Sequence, residues 1–268
     1  MFSPWYGILI KLEQERDRPL RMRRKPNLEP RLEKCAAVTV ENPQDYRGRW
    51  RGSFGAYHAL HVELGCGKGR FTADAAEAAP DVLLVAIERD PSALVMAMEL
   101  ALSRGLSNVR FILGDVNMLG ELFAPGEVGR IYLNFPDPWP KSRDAKLRLT
   151  APNFLRRYAS VLSSGGELQF KTDNTPLFDW SVEQFSAEGW ELHDVTHDLH
   201  ENGLVGILTG YEAKFVSQGV KINRLVAVKG DGTKTLASGE VPRLRNASLC
   251  DARGYSESVE TNAKKEKA

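Results

Sequence analysis

An alternation of short apolar runs with helical patterns constrains this chain more than any other feature. The runs are Ala59–Leu64, Val82–Glu88, Val109–Leu113, Ile131–Phe135 and Glu167–Lys171. Helical patterns fall between them at Arg70–Ala79, Pro91–Arg104, Asn117–Phe123 and Pro152–Leu162. Pro91 and Pro152 suit a first helical turn, and Gly105 suits a helix end. Strands alternating with helices predict an α/β fold with a mostly parallel central sheet, right-handed crossovers and helices on both faces. Two further strands are predicted near Glu191–Thr196 and Val220–Val228, separated by a loop and a short helix around Tyr211–Ser217. These add an antiparallel C-terminal strand.

The fourth run ends abruptly. Proline cannot donate to a sheet ladder, so Pro136 stops the strand. Asp137 is then held between Pro136 and Pro138, with Trp139 and Lys141 just beyond. An acid fixed at the carboxyl end of a parallel strand faces the crevice where open α/β sheets bind ligands.

Composition excludes several classes. No apolar run is long enough to span a bilayer, and the N-terminus has no signal-peptide pattern. The widely spaced Cys35, Cys66 and Cys250 form neither a disulfide framework nor a zinc pattern, which points to a reducing cytoplasm. The five histidines include no HExxH, so no metal is expected. With 36 basic and 35 acidic residues the net charge is +1, yet basic residues cluster at 16–34, 47–51 and 141–148. A near-neutral chain can thus present a basic face to RNA. Residues 1–21 read as a flexible extension, with Met22 an alternative start, and 22–57 as a basic arm and connecting segment. Residues 58–229 form the α/β domain, and 230–268 a polar, disordered tail.

The first strand runs into Glu63-Leu64-Gly65-Cys66-Gly67-Lys68-Gly69. Such glycines let a turn tighten and a ligand approach the backbone. The dinucleotide fingerprint GxGxxG is not met, because its third glycine comes one place early and Arg70 fills the slot. The pattern ExGxGxG instead resembles the S-adenosylmethionine (SAM) methyltransferase fold, a Rossmann-like architecture. That resemblance implies SAM as cofactor, bound by Glu63, Gly65, Gly67, Glu88 and Asp115. Glu63 would face the ammonium group directly or through water. Glu88 would accept both ribose hydroxyls, and Asp115 the adenine amino group. Cys66 reads as a packing residue.

Longer motifs narrow the resemblance. RRKP at 23–26, NPQDYRGRW at 42–50, ELGCGKG at 63–69 and AIERD at 86–90 precede YLNFPDPWPKSR at 132–143. RLT at 148–150, FKTDN at 170–174 and TGYEAKF at 209–215 follow. From about Met22 to Val228 the chain resembles the tRNA (guanine-N7-)-methyltransferase family of bacterial type. The resemblance implies methyl transfer from SAM to N7 of a guanosine in the tRNA variable loop, usually position 46. Asp137 is the catalytic candidate, for guanine orientation and charge compensation. Lys141, Asp173, Thr209 and Glu212 are implied as substrate contacts. Thr209 and Glu212 also fit an N-terminal capping box. Arg143, Lys146 and Arg148 fall in the family's RNA-contact segment, close to RHxKRR, where this chain carries Asp144 and Leu147 instead of a histidine and an arginine. Phe135 and Trp139 are expected to pack rather than stack on a base.

The basic residues Arg21, Arg23, Arg24 and Lys25 are expected to meet the tRNA backbone. No protein partner is implied, and either a monomer or a homodimer fits. Two alternatives keep part of the pattern. One is a methyltransferase acting on another RNA or a small molecule. The other is an RNA-binding scaffold without turnover.

Overall fold

A computed structural model describes residues 27–229. The expectations for the N-terminal extension, Arg23 to Lys25, Cys250 and the C-terminal tail lie outside the described residues. Seven strands form one sheet: β1 (Ala59–Leu64), β2 (Val82–Glu88), β3 (Val109–Leu113), β4 (Val128–Asn134), β5 (Leu162–Thr172), β6 (Glu191–Thr196) and β7 (Asn223–Val228). Their order is β3-β2-β1-β4-β5-β7-β6. The first five pair in parallel. β7 inserts between β5 and β6 and runs antiparallel to both.

The helices are α1 (Leu28–Lys34), α2 (Trp50–Phe54), α3 (Arg70–Ala78), α4 (Pro91–Ser103), α5 (Leu119–Leu122), α6 (Pro152–Val161), α7 (Thr175–Ala187) and α8 (Gly210–Ser217). Both faces of the sheet are covered. One core gathers Leu60, Val62, Ile131, Leu168, Phe170, Phe178 and Phe185. The other gathers Leu84, Ala86, Val95, Met98, Val109 and Phe111. Parallel strands buried on both sides read as continuous apolar runs, which is why these segments are so visible in the sequence. Among the described residues, no helix is long and apolar enough to cross a membrane.

Two segments differ from expectation. α7 lies where no helix is predicted. Asn174 caps it, accepting the Leu177 N–H at 2.8 Å, and the helix buries Leu177, Phe178, Ser181 and Phe185. The segment before β1 is also more than a connector. Leu28, Leu32 and Cys35 join the second core. Trp50 is fully buried, its indole donating to the Leu122 carbonyl at 2.8 Å. The Glu127 carboxylate fastens this segment by accepting the N–H groups of Gly48 and Trp50.

The chain direction of sheet growth reverses between β1 and β4, with β2 and β3 to one side and β5 to the other. The carboxyl ends of these strands therefore open a crevice at the switch point.

Candidate active site

The crevice has a volume of about 360 Å³, and every parallel strand end from β1 to β4 contributes to it. Gly65 follows β1, Glu88 ends β2 with Arg89 just beyond, Asp115 follows β3, and Asn134 ends β4 with Pro136 and Asp137 just beyond. Trp139, Leu147, Leu149 and Phe154 complete one apolar wall. Gly65 has φ +75°, and a Cβ built there would meet no atom within 4 Å, so its backbone faces open space.

The acids are presented differently. Glu88 Oε2 accepts the Gly67 N–H at 2.9 Å, and Oε1 accepts the N–H groups of Arg89 at 2.8 Å and Asp90 at 2.9 Å. A carboxylate offers about four acceptor positions, so one on Oε2 remains. Asp115 takes both the backbone and side-chain N–H of Asn117 on Oδ1, which leaves Oδ2 for a ligand. Glu63 does not line the crevice: it is buried behind it, accepting from Thr72 Oγ1 at 2.5 Å and from Asn134 Nδ2 at 3.3 Å. Burial pushes its carboxyl up to about 7, against the two hydrogen bonds and with help from the Glu88 charge. Its link to the crevice runs through Asn134, a residue that sequence reasoning passed over. Gly67 (φ +56°) also stays off the crevice lining and acts by holding Glu88. Burial pushes the Cys66 thiol up as well, as fits a packing residue.

Asp137 is exposed and meets Arg89 Nη2 at 3.5 Å. Its turn is rigid. Phe135 and Trp139, each preceding a proline, have positive φ values of 52° and 41°. Such non-glycine residues persist only where the surroundings over-determine them. Here the Phe135 N–H donates to the Lys171 carbonyl at 2.8 Å. Arg148 donates from Nε and Nη2 to the Trp139 carbonyl, at 3.2 and 3.0 Å. Its guanidinium also lies 4.4 Å from the Trp180 ring centroid. Arg148, expected as an RNA contact, is half-buried here and braces the Asp137 turn through Nε and Nη2. Arg143 and Lys146 are exposed, as is Lys141. Leu147 forms part of the crevice wall.

The remaining expected contacts stand apart from the crevice. Asp173 is exposed at the end of β5. Thr209 and Glu212 form a complete capping box at the start of α8. Glu212 is fully buried. Both its oxygens meet Lys171 Nζ at 3.1 Å, and Oε1 also meets His200 Nε2 at 2.9 Å. Lys171 Nζ donates to the Ile207 carbonyl too, at 3.1 Å. The Val205 N–H donates to His200 Nδ1, so Nε2 carries the ring proton and donates to Glu212. Burial lowers the Lys171 pKa, against the pull of Glu212. Glu212, expected as a substrate contact, here ties α8 and the loop before it to β5.

The sheet order, the glycine turn and the strand-end acids fit SAM: an open backbone position, and acceptors spaced around one crevice for hydroxyl and amino donors. Together they define a class I, SAM-dependent methyltransferase. The fold is shared with the 16S rRNA methyltransferase KamB (TM-score 0.52, 19% identity, 65% of this chain and 88% of that one). It is shared also with a 16S rRNA (adenine(1408)-N(1))-methyltransferase variant from Catenulisporales acidiphilia, crystallised with SAM as cosubstrate (TM-score 0.50, 17% identity, 72% and 94% covered). Residues 57–225 match a family described as putative methyltransferase. A tRNA (guanine-N(7)-)-methyltransferase of Listeria monocytogenes is 43% identical over 209 residues, covering 78% of this chain and 98% of its own length. The Bacillus subtilis enzyme of the same name is 42% identical over 206 residues, covering 76% and 97%. The chain belongs to the tRNA (guanine-N(7)-)-methyltransferase family.

Proposed function

We propose that this chain transfers the methyl group of SAM to N7 of a guanosine in tRNA, at position 46 of the variable loop. The observation that carries the reading is the convergence of Glu88, Asp115 and Asp137 on one crevice at the strand ends. When bound, SAM supplies an electrophilic methyl group on a sulfonium. Glu88 would take a ribose hydroxyl on Oε2, and Asp115 the adenine amino group on Oδ2. Asn134 would connect the amino-acid end to Glu63.

Guanine N7 carries an in-plane lone pair and no proton at neutral pH, so the site needs no general base. The protein's contribution is positioning in a crevice partly walled by Trp139, Leu147 and Phe154. The guanine becomes cationic as its new bond forms, and Asp137 then stabilises the transition state more than the ground state. The ion pair with Arg89 is exposed and at the edge of contact distance, so it holds Asp137 only weakly. Asp173, Lys141, Arg143 and Lys146 remain available to nucleotide and phosphate groups around the rim.

The test is incubation with methyl-labelled SAM and unmodified tRNA, followed by mapping of the labelled nucleoside. N7-methylguanosine in the variable loop is expected. Asp137→Ala should lower kcat by about 10²–10³ while SAM binding and Tm stay unchanged. Label elsewhere in the tRNA, or an unaffected variant, would sink the assignment.

A further inference from the structure

The first turn of α8 is fixed by buried ties, and it carries an exposed ring. Glu212 holds it from below through Lys171 and His200, and the Thr209 capping box closes its end. Yet Tyr211, next in sequence to the fully buried Glu212, is 66% exposed. Rigid backbone beneath a protruding aromatic is poor use of an apolar side chain in a core, but it suits a stacking surface.

The ring's neighbours point the same way. Tyr211 stacks with Phe215 at 6.4 Å and lies 6.4 Å from Phe135, centroid to centroid. Phe135 is pinned to Lys171 and precedes Asp137 by two residues, so the ring sits at the rim on which the reacting guanosine would rest. One basic residue lies on its own helix and another approaches from α3. The Arg70 side chain passes within about 4.0 Å of the position a Gly210 Cβ would take, and Lys214 is exposed one turn along α8. A flat apolar face with basic residues nearby complements a nucleobase and its phosphate.

We propose that Tyr211 stacks on a nucleobase flanking the guanosine that receives the methyl group, and so holds the RNA strand open beside Asp137. This rests on the tRNA-methylation reading above. Tyr211→Ala should raise the tRNA KM about tenfold, within the range base–aromatic stacking supports, with kcat within about twofold and the SAM Kd and Tm unchanged. Tyr211→Phe should behave as the wild type. Tyr211→Leu, which keeps apolar bulk but no flat face, should resemble the alanine variant.

Two tRNAs, abasic at the 5′ or the 3′ neighbour of the target, make the test specific. One of them should raise the wild-type KM by a similar factor and have no further effect on Tyr211→Ala. Equal KM for wild type and Tyr211→Ala would overturn the proposal and leave the ring for a protein contact. Independent, multiplicative losses from the variant and the abasic tRNA would overturn it too. Failure of the wild type to methylate any tRNA would instead remove the functional reading on which it rests.

Discussion

The carboxylates of the crevice and the buried carboxylate at the start of α8 are built in opposite ways. Glu88, Asp115 and Asp137 sit on an open crevice and keep acceptor capacity unused by the protein. Glu212 is sealed from solvent and fully engaged by Lys171, His200 and a backbone N–H. An acid with spare capacity is placed for something that arrives. An acid with none is placed to hold the protein still, and its chemical type alone does not reveal which it is.

Breaking the buried set should give the largest effect. Glu212→Ala leaves the Lys171 ammonium without its counter-charge in a dry site, a change that costs roughly 3–5 kcal/mol. A large drop in urea midpoint is expected. If the midpoint barely moves, the cluster does not hold α8, and the contrast with the crevice acids fails.

Glu63 sharpens the comparison because it lies buried behind the crevice, joined to it only through Asn134. Its folded-state pKa of about 7 lies above the ordinary 4.5, so the folded chain binds the proton more tightly than the unfolded one. Stability from this group is complete below about pH 4.5 and is lost as pH rises through about 7. The full loss corresponds to about 3 kcal/mol. Urea melts of ligand-free protein should show that decline, and Glu63→Gln should flatten it. Parallel profiles for the two proteins would mean that Glu63 is ionised in place.

The smallest effect is expected at the cap. Thr209→Ala removes one side-chain acceptor at the start of α8 and should cost about 1 kcal/mol. A Tm loss as large as that of Glu212→Ala would show that the two act as one unit.

Much of this arrangement was legible in the chain. Buried parallel strands made continuous apolar runs, and Pro136 marked the end of β4. The glycine turn and the acids at 88, 115 and 137 then fell at strand ends without further assumption. α7 was hidden for a physical reason: Ser181 interrupts its buried stripe, satisfied by Thr150 and the Leu177 carbonyl. The insertion of β7 between β5 and β6 depends on long-range pairing, which periodicity does not encode. The same holds for Arg148. A basic residue in a basic loop reads as exposed, and only the fold brings the Trp139 carbonyl and Trp180 to it. Glu212 and His200 meet across a loop, so neither alone signalled a buried cluster. Asn134 stood beside the more conspicuous Pro-Asp-Pro turn.

The reversed direction of β7 has a practical consequence. Its six residues carry the chain from the crevice end of the sheet to the opposite end, about 20 Å away. A dye or surface anchor attached at Lys229 would therefore point away from the incoming RNA. Immobilised by that position, the enzyme would present its crevice outward, and a fluorophore there would report rotation of the whole protein without touching the substrate path.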